Sequence, residues 1–373
     1  VLSASWSSED SKWTLEARSS DSQETVLFSC NFLYMCSGYY SYKEGYTPEF
    51  SGVEDFAGQI VHPQQWSEDL DYTDKKVVVI GSGATAMTLV PAMASDAKHV
   101  TMLQRSPTYV VSRPDQDRIA NFLRKILPGK LAYWITRQKN IFRQGLVYKK
   151  TRTNPDEVKE LLLQGVQEEL GNDYDIDKHF TPSYNPWDQR LCLLPNGDLF
   201  SSIRSGKASV VTEHIDSFVQ EGIRLTSGNV LEADIIVTAT GLRLVTLGEM
   251  DFFVDGNPLD FSKTWTYKGV GYSDVPNLAS CFGYVNASWT LKADLTSEYV
   301  CRLLNHMEKV EMTQCTPRLR EEDADMPKRQ WIEDFPAGYM KRMMPLLPRQ
   351  GDREPWLHTQ DFHRDIKLIS KAS

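Results

Sequence analysis

The sequence predicts an α/β protein built on a parallel sheet. Three observations carry that expectation. Val77-Val78-Val79-Ile80 is an unbroken run, mostly β-branched, as in a strand buried on both faces. Gly81-Ser82-Gly83 follows at once and opens a helix-forming stretch from Ala84 to Ala94. His99 to Gln104 then reads as another strand, completing a β-α-β unit in about 30 residues. With 373 residues, the chain is long enough for two or three domains of about 100–200 residues each.

The remaining elements follow in order. Trp13, Leu15 and Ala17 alternate with polar residues, Ser19 to Ser22 supply a turn, and Val26-Leu27-Phe28 begins a further strand, so the first 30 residues read as a hairpin or meander. Phe32 to Cys36 is a short buried run that stops at Ser37-Gly38. Residues 39–56 are rich in Tyr, Gly and Pro and read as a loop. Ile119, Phe122, Leu123, Ile126 and Leu127 fall at helical spacing, and Pro128-Gly129 breaks that helix. Asp156 to Leu170 reads as a helix, Leu225 to Gly228 as a turn, Asp234 to Thr238 as a strand and Lys292 to Met307 as a helix. Asn31 to Gly38 and Asp234 to Gly241 echo one another weakly: a polar residue, an apolar run, and a small-hydroxyl-Gly exit. The tail after Cys315, dense in charge and Pro, is expected to wrap the surface.

Composition narrows the classes. At 41% hydrophobic and 24% charged, the chain is globular and not disordered or fibrous. Lys+Arg number 41 against 50 Asp+Glu, and the net charge of −9 argues against nucleic acid as a partner. Six Cys are too few for a disulfide scaffold and suit a reduced, cytoplasmic setting. Cys30 and Cys36 are read as buried small hydrophobes. Cys192, Cys281, Cys301 and Cys315 lack metal spacing, so no metal is expected. No 18-residue apolar run suggests a membrane span, and no G-x-S-x-G elbow suggests a hydrolase.

One segment departs from this balance. Residues 118–152 hold Arg118, Arg124, Lys125, Lys130, Arg137, Lys139, Arg143, Lys149, Lys150 and Arg152, with no Asp or Glu. A charge of −9 overall and +10 here leaves −19 on the rest of the chain. The segment reads either as a solvated helical insertion or as a peripheral contact with an anionic membrane.

Gly81-x-Gly83-x-x-Ala86 sits in the context a dinucleotide fingerprint requires. Gly81 permits the tight turn; Ser82, Gly83, Ala84 and Thr85 lie where a pyrophosphate meets the helix N-terminus; Ala86 keeps helix and strand close. The alternative is a glycine turn that binds nothing. The second strand ends in Gln104-Arg105-Ser106, where an NAD-binding unit usually carries an acid. A guanidinium and a hydroxyl suit a 2′-phosphate, which favours NADP(H) over NAD(H) unless Arg105 is a plain surface residue. Phe56-x-Gly58-x-x-x-His62-x-x-x-Trp66 lies just before this unit. By chemistry alone, His62 is a structural linker residue.

That last pattern resembles, at every position, the signature of Baeyer–Villiger monooxygenases, the class B flavoprotein monooxygenases. Within that family the chain is most similar to the ethionamide-activating branch, through Leu103 to Tyr109 and Asn286 to Asp294. The resemblance covers essentially the whole chain and implies an α/β flavoprotein with two dinucleotide-binding domains, the NADP domain inserted into the FAD domain. The implied division is 1–56 and 231–373 for the FAD domain and 57–230 for the NADP domain with its helical insertion. It implies FAD and NADP(H) as cofactors, O2 as co-substrate, and a small hydrophobic ketone or sulfur compound oxygenated through a peroxyflavin. Arg105 and Ser106 match the NADPH 2′-phosphate site, and Asn185 to Cys192 matches the segment carrying the catalytic arginine, here Arg190 preceded by Gln189, where most of the family has lysine. The alternative for Arg190 is a salt bridge with Asp188 or another carboxylate. Gly38, Asp234, Thr240 and Gly241 match the exits to the FAD domain. Asn286 and Trp289 fall near the implied flavin and substrate pocket, or are plain core residues.

No G-x-G-x-x-G precedes Gly81, whereas the family opens on one that binds FAD. The chain starts at Val1 inside strand-like sequence, and is therefore expected to be a truncated or partial chain. The competing expectation is an NADP(H)-binding remnant without FAD or activity. A disulfide-reductase relative is disfavoured because no close redox Cys pair is present.

Overall fold

The computed structural model describes residues 1–189, 191–333 and 338–370. They form two compact units, one of Val1–Tyr42 with Arg243–Ser373, the other of Lys43–Leu242. The sequence suggests divisions after 56 and 230; the units divide after Tyr42 and Leu242.

The first unit opens with an antiparallel meander of β1 (Ser3–Ser7), β2 (Lys12–Arg18) and β3 (Thr25–Cys30). Trp13 anchors it: the ring is fully buried and Nε1 donates to the carbonyls of Pro276 and Asn277, each at 3.2 Å. The short run at Leu33–Met35 is β4. The Tyr-rich stretch is not all loop: Tyr40–Gly45 forms β5. Tyr40-Ser41-Tyr42 has the alternation and aromatic content a strand accepts, and the neighbouring Gly and Pro mask it in the sequence. Cys30 is only partly buried and Cys36 is exposed, so the reading of both as buried hydrophobes is corrected.

The second unit runs β6 (Gln59–Val61), β7 (Lys76–Ile80), α1 (Ala84–Met93), β8 (His99–Gln104), β9 (Val110–Arg113), α2 (Arg118–Ile126), α3 (Gly129–Thr153), α4 (Pro155–Leu170), α5 (Ile176–Phe180), β10 (Cys192–Pro195), α6 (Asp198–Arg204), β11 (Ala208–Thr212), β12 (Ile215–Val219), β13 (Gly222–Leu225), β14 (Val230–Glu232) and β15 (Ile235–Thr238). Its main sheet has the order β11-β8-β7-β15-β6 with every pair parallel. Alternate residues of β7 enter two separate cores. Val77 and Val79 join Met87 and Val90 of α1; Val78 and Ile80 join Phe56, Phe218 and Ile223. Burial on both faces is why this strand is apolar without alternation.

β16 (Leu242–Leu244) brings the chain back, and β17 (Asp251–Val254) pairs parallel with β1. Leu278–Ser280 pairs parallel with β4. α7 (Trp289–Lys309) packs with α9 (Phe362–Ser370), and α8 is Gly338–Met343. The tail is not a surface wrap. Met326, Trp331, Ile332, Leu347, Trp356 and Ile369 are all buried in this unit. Outside α9 they stand singly or in pairs among charges and prolines with no sustained helical or strand period, so their inward side is invisible in sequence.

A polar cluster is sealed into this core. Lys292 of α7 and Asp365 of α9 are both about 1% exposed and paired at 2.7 Å. Tyr284 Oη donates to the same Asp365 oxygen at 2.7 Å, Lys292 Nζ reaches the Lys268 carbonyl at 3.3 Å, and Thr359 Oγ1 donates to the other carboxylate oxygen. Burial lowers the Lys292 pKa, and Asp365 opposes that shift. His358 lies beside them, stacked on Trp331 with centroids 4.6 Å apart. Its Nδ1 is 3.2 Å from the Trp331 carbonyl and its Nε2 is 3.3 Å from Gln360 Nε2, so the neutral ring donates at one nitrogen and accepts at the other. Burial, assisted by the Lys292 charge, pushes its pKa down to about 3.

Below about pH 6.5 an unfolded chain protonates His358, whereas the folded chain holds it neutral down to about pH 3. The unfolded state then binds more protons, so His358 makes stability fall as pH drops through that window. Urea unfolding of wild type and His358→Gln between pH 7 and 5 checks this: the variant is expected to lose less stability on acidification. Removing one partner of the buried pair with Lys292→Met is expected to cost about 3–5 kcal/mol in the same assay.

Candidate functional site

The carboxyl ends of β7, β8 and β15 converge on one edge of the parallel sheet, where open α/β sheets bind their ligands. Gly81 takes φ +137°, and a Cβ there would overlap the Ala239 carbonyl oxygen. Only glycine lets the chain leave β7 against the exit of β15. Gly83 is the N-cap of α1, with no side chain capping the helix and open space where a Cβ would be. Gly83, Ala84 and Thr85 are exposed, whereas Ala86 is fully buried against the sheet. The first amides of α1 therefore lack intrahelical partners and sit at the positive end of the helix dipole. Ser82 Oγ lies 3.0 Å from both the Ser106 carbonyl and Thr108 Oγ1, which ties the glycine turn to the loop after β8. Arg105 and Ser106 are exposed beside it. Gln104, at the position where an acid would hold a ribose, is buried instead, and its Nε2 donates to the His179 carbonyl and to Thr212 Oγ1, each at 2.8 Å. An uncapped helix start, a glycine cradle and an exposed guanidinium fit an anionic dinucleotide bearing an extra phosphate.

The eleven-residue motif frames this site from the sheet edge. Phe56 is buried edge-on against Phe218, and a Cβ on Gly58 would overlap the Asp234 carbonyl oxygen. Gln59–Val61 pairs with β15, and Trp66 packs edge-on against Tyr72. His62 is the polar centre. Its Nδ1 accepts from Gln64 N at 3.2 Å, so its Nε2 carries the proton and donates to the Gly241 carbonyl at 3.1 Å. Gly45 lies against the ring so closely that a Cβ would overlap it. The Gly241 carbonyl also accepts from Tyr46 N at 3.0 Å, and Thr240 Oγ1 donates to the Tyr46 carbonyl at 2.7 Å. The motif thus clamps residues 45–46 to 240–241.

Asp234 stands apart from the glycine turn. It precedes β15, so it lies at the opposite end of the parallel sheet, where Oδ2 accepts from Lys76 N at 2.7 Å. Gln189 forms an isolated parallel bridge with Pro186. Arg190 lies outside the described residues; nearby, Asp188 is paired with Arg152 at 2.8 Å.

The first unit has its own cavity. Gly38, at φ +72°, lines it with Ser37, Tyr39, Cys281, Phe282 and Trp331. Ser37 Oγ and Trp331 Nε1 are buried without a hydrogen-bond partner. Apolar walls with an orphan hydroxyl and an orphan N–H fit a flat heteroaromatic ligand with polar edges. Trp289 stacks on Tyr39 at 4.7 Å and 19° and so backs this wall. Asn286 Nδ2 donates to the Gln360 carbonyl at 2.9 Å. Sequence reasoning missed Ser37, Tyr39 and Trp331. Ser37 was legible beside Gly38, but Trp331 carries no local signal. Among the described residues, no cluster of three or more His, Cys, Asp or Glu could hold a metal.

The fold and the glycine turn define a dinucleotide-binding α/β protein. The model of flavin-binding monooxygenase-like proteins matches residues 1–170. The FAD-containing monooxygenase EthA of Mycobacterium tuberculosis (strain CDC 1551 / Oshkosh) is 52% identical over 373 residues, covering all of this chain and 75% of that protein. Its namesake in Mycolicibacterium smegmatis (strain ATCC 700084 / mc(2)155) is 48% identical, covering 99% and 74%. In fold, the chain is similar to oxidized steroid monooxygenase bound to NADP, with TM-score 0.66 and 22% identity over 84% of this chain and 67% of that one. The open structure of cyclohexanone monooxygenase gives TM-score 0.65 and 17% identity over 86% and 70%. The chain belongs to the family of FAD-containing monooxygenases that includes EthA. It is an oxidoreductase.

The His62 clamp makes a direct prediction. Gly45→Ala is expected to destabilise the protein by about 1–3 kcal/mol through overpacking on the imidazole. Gly45→Ala/His62→Ala is expected to lose less than the two single substitutions summed, as measured by a double-mutant cycle in denaturant.

Proposed function

We propose that the chain is an NADPH-dependent flavin monooxygenase. It transfers one atom of O2 to a small hydrophobic substrate, at a ketone carbonyl or at a sulfur. The observation that carries the reading is the glycine turn Gly81–Ala86 with Arg105 exposed beside it at the ends of β7 and β8. The α1 amides would hold the pyrophosphate of NADPH, and Arg105 and Ser106 its 2′-phosphate. FAD would bind in the first unit, with Gly38 giving close approach and Ser37 and Trp331 meeting polar edges of its ring. The bound flavin would supply reduction by NADPH and activation of O2.

The chain's own residues then do three things. Ser82 and His62 hold the glycine turn and the 240–241 segment in place. The apolar wall around Phe282 and Trp331 excludes water from the first unit's cavity. Arg190 supplies a permanent positive charge where negative charge develops on the substrate oxygen; guanidinium suits this because it does not deprotonate. Both oxygenations would draw on the same flavin chemistry with O2, so the reading takes both; the Arg190 charge serves the ketone, whose carbonyl oxygen becomes anionic.

Three measurements test this. Purified protein is expected to show a flavin absorption band and to consume NADPH in the presence of a cyclic ketone or a thioamide; protein that binds NADPH but carries no flavin refutes it. Arg105→Ala is expected to raise KM for NADPH about tenfold or more while leaving NADH nearly unchanged. Arg190→Ala is expected to abolish product formation while NADPH still bleaches the flavin.

A further inference from the structure

We propose that the α2–α3 hairpin docks this enzyme on an anionic lipid surface. The inference stands outside the cofactor sites and does not rest on the activity proposed for them. α2 lies antiparallel to the first half of α3, because Asp117 caps α2 through Ile119 N and Ala120 N, each at 3.0 Å, and also pairs with Lys139 of α3. The hairpin is poorly covered. Ala120 is the buried residue of α2, and Ala132 and Thr151 those of α3, a helix of 25 residues.

What it exposes is not a normal solvated face. Ile119, Phe122 and Ile126 recur at helical spacing on α2, each more than half exposed. Trp134, Phe142 and Leu146 recur at multiples of four on α3, again more than half exposed. A helix on the surface of a soluble protein buries such a stripe. Around these side chains the segment 118–152 carries only basic charge, while the rest of the chain is strongly acidic. Aliphatic and aromatic groups flanked by Lys and Arg match the boundary between anionic headgroups and acyl chains, and Trp favours that depth. The acidic remainder is repelled by the same surface, so the field admits the hairpin first. A second copy meeting this face hairpin to hairpin would set like charges together.

The test is flotation of the full chain with vesicles of phosphatidylglycerol or of phosphatidylcholine. The wild type is expected to float with the anionic vesicles and to stay behind with the zwitterionic ones. Each basic residue near an anionic surface strengthens partitioning about fivefold, so R124E/K125E/K130E is expected to weaken it about a hundredfold or more. F122S/W134S/F142S should also remain unbound, with an unchanged circular dichroism spectrum. The charge variant alters only exposed positions and keeps the test valid should the apolar variant misfold. No flotation of wild type, or flotation that survives the charge variant, overturns the proposal. So does a wild-type dimer that F122S/W134S/F142S converts to monomer without any lipid binding, which assigns the face to a second copy.

Discussion

Where β7 ends, the backbone of Gly81 passes so near the Ala239 carbonyl oxygen that no side chain fits between them. Much of the second unit follows from that steric constraint. The chain must leave the strand at φ +137°, which turns it straight into α1 with the helix start uncapped and open. The same close approach puts the exit of β15 beside the turn, so Thr240 and Gly241 end where His62 and Tyr46 can hold them. A glycine demanded by sterics and a histidine demanded by hydrogen bonding thus secure one edge of one sheet.

The first unit is organised differently. Its centre holds an ion pair, a neutral histidine and a tyrosine hydroxyl, all buried. Such a cluster is costly unless every member is satisfied, and here Tyr284, Thr359, Gln360 and backbone carbonyls complete it. The geometry joins α7 to α9 and positions the segment from Tyr284 to Trp289. Nearby, the cavity wall leaves Ser37 and Trp331 unpaired. Satisfied polar groups behind a wall and unsatisfied ones on it are the pattern expected of a scaffold that presents a ligand surface.

Charge is divided as sharply as packing. The chain is acidic as a whole, yet residues 118–152, which hold the α2–α3 hairpin, carry only basic charge and leave large side chains in the open. Neither the sheet nor the cavity needs that arrangement. Such a pairing of exposed apolar and basic groups matches the boundary of an anionic lipid layer.

The amino-acid sequence by itself determined whatever is carried by residues near one another along the chain. The β-branched run of β7, the glycine turn, α1 and β8 are all local patterns, and each forms the element expected of it; the eleven-residue motif is equally local, but what reads as a loop contains the edge strand β6. Family membership follows from them. Tertiary structure decided what depends on distant partners. Gln104 stands where a dinucleotide unit usually carries an acid, and only the structure shows that His179 and Thr212 draw it into the sheet. Asp234 belongs to a matching strand, yet parallel pairing puts it at the far end from the glycine turn. Trp331, His358 and Asp365 sit in a charged tail without periodicity, and only packing against α7 and Phe282 turns them into core and cavity wall. Local patterns survive translation into structure because their physics is short-range; burial of an isolated aromatic or a lone carboxylate is settled by whatever the rest of the chain brings to it.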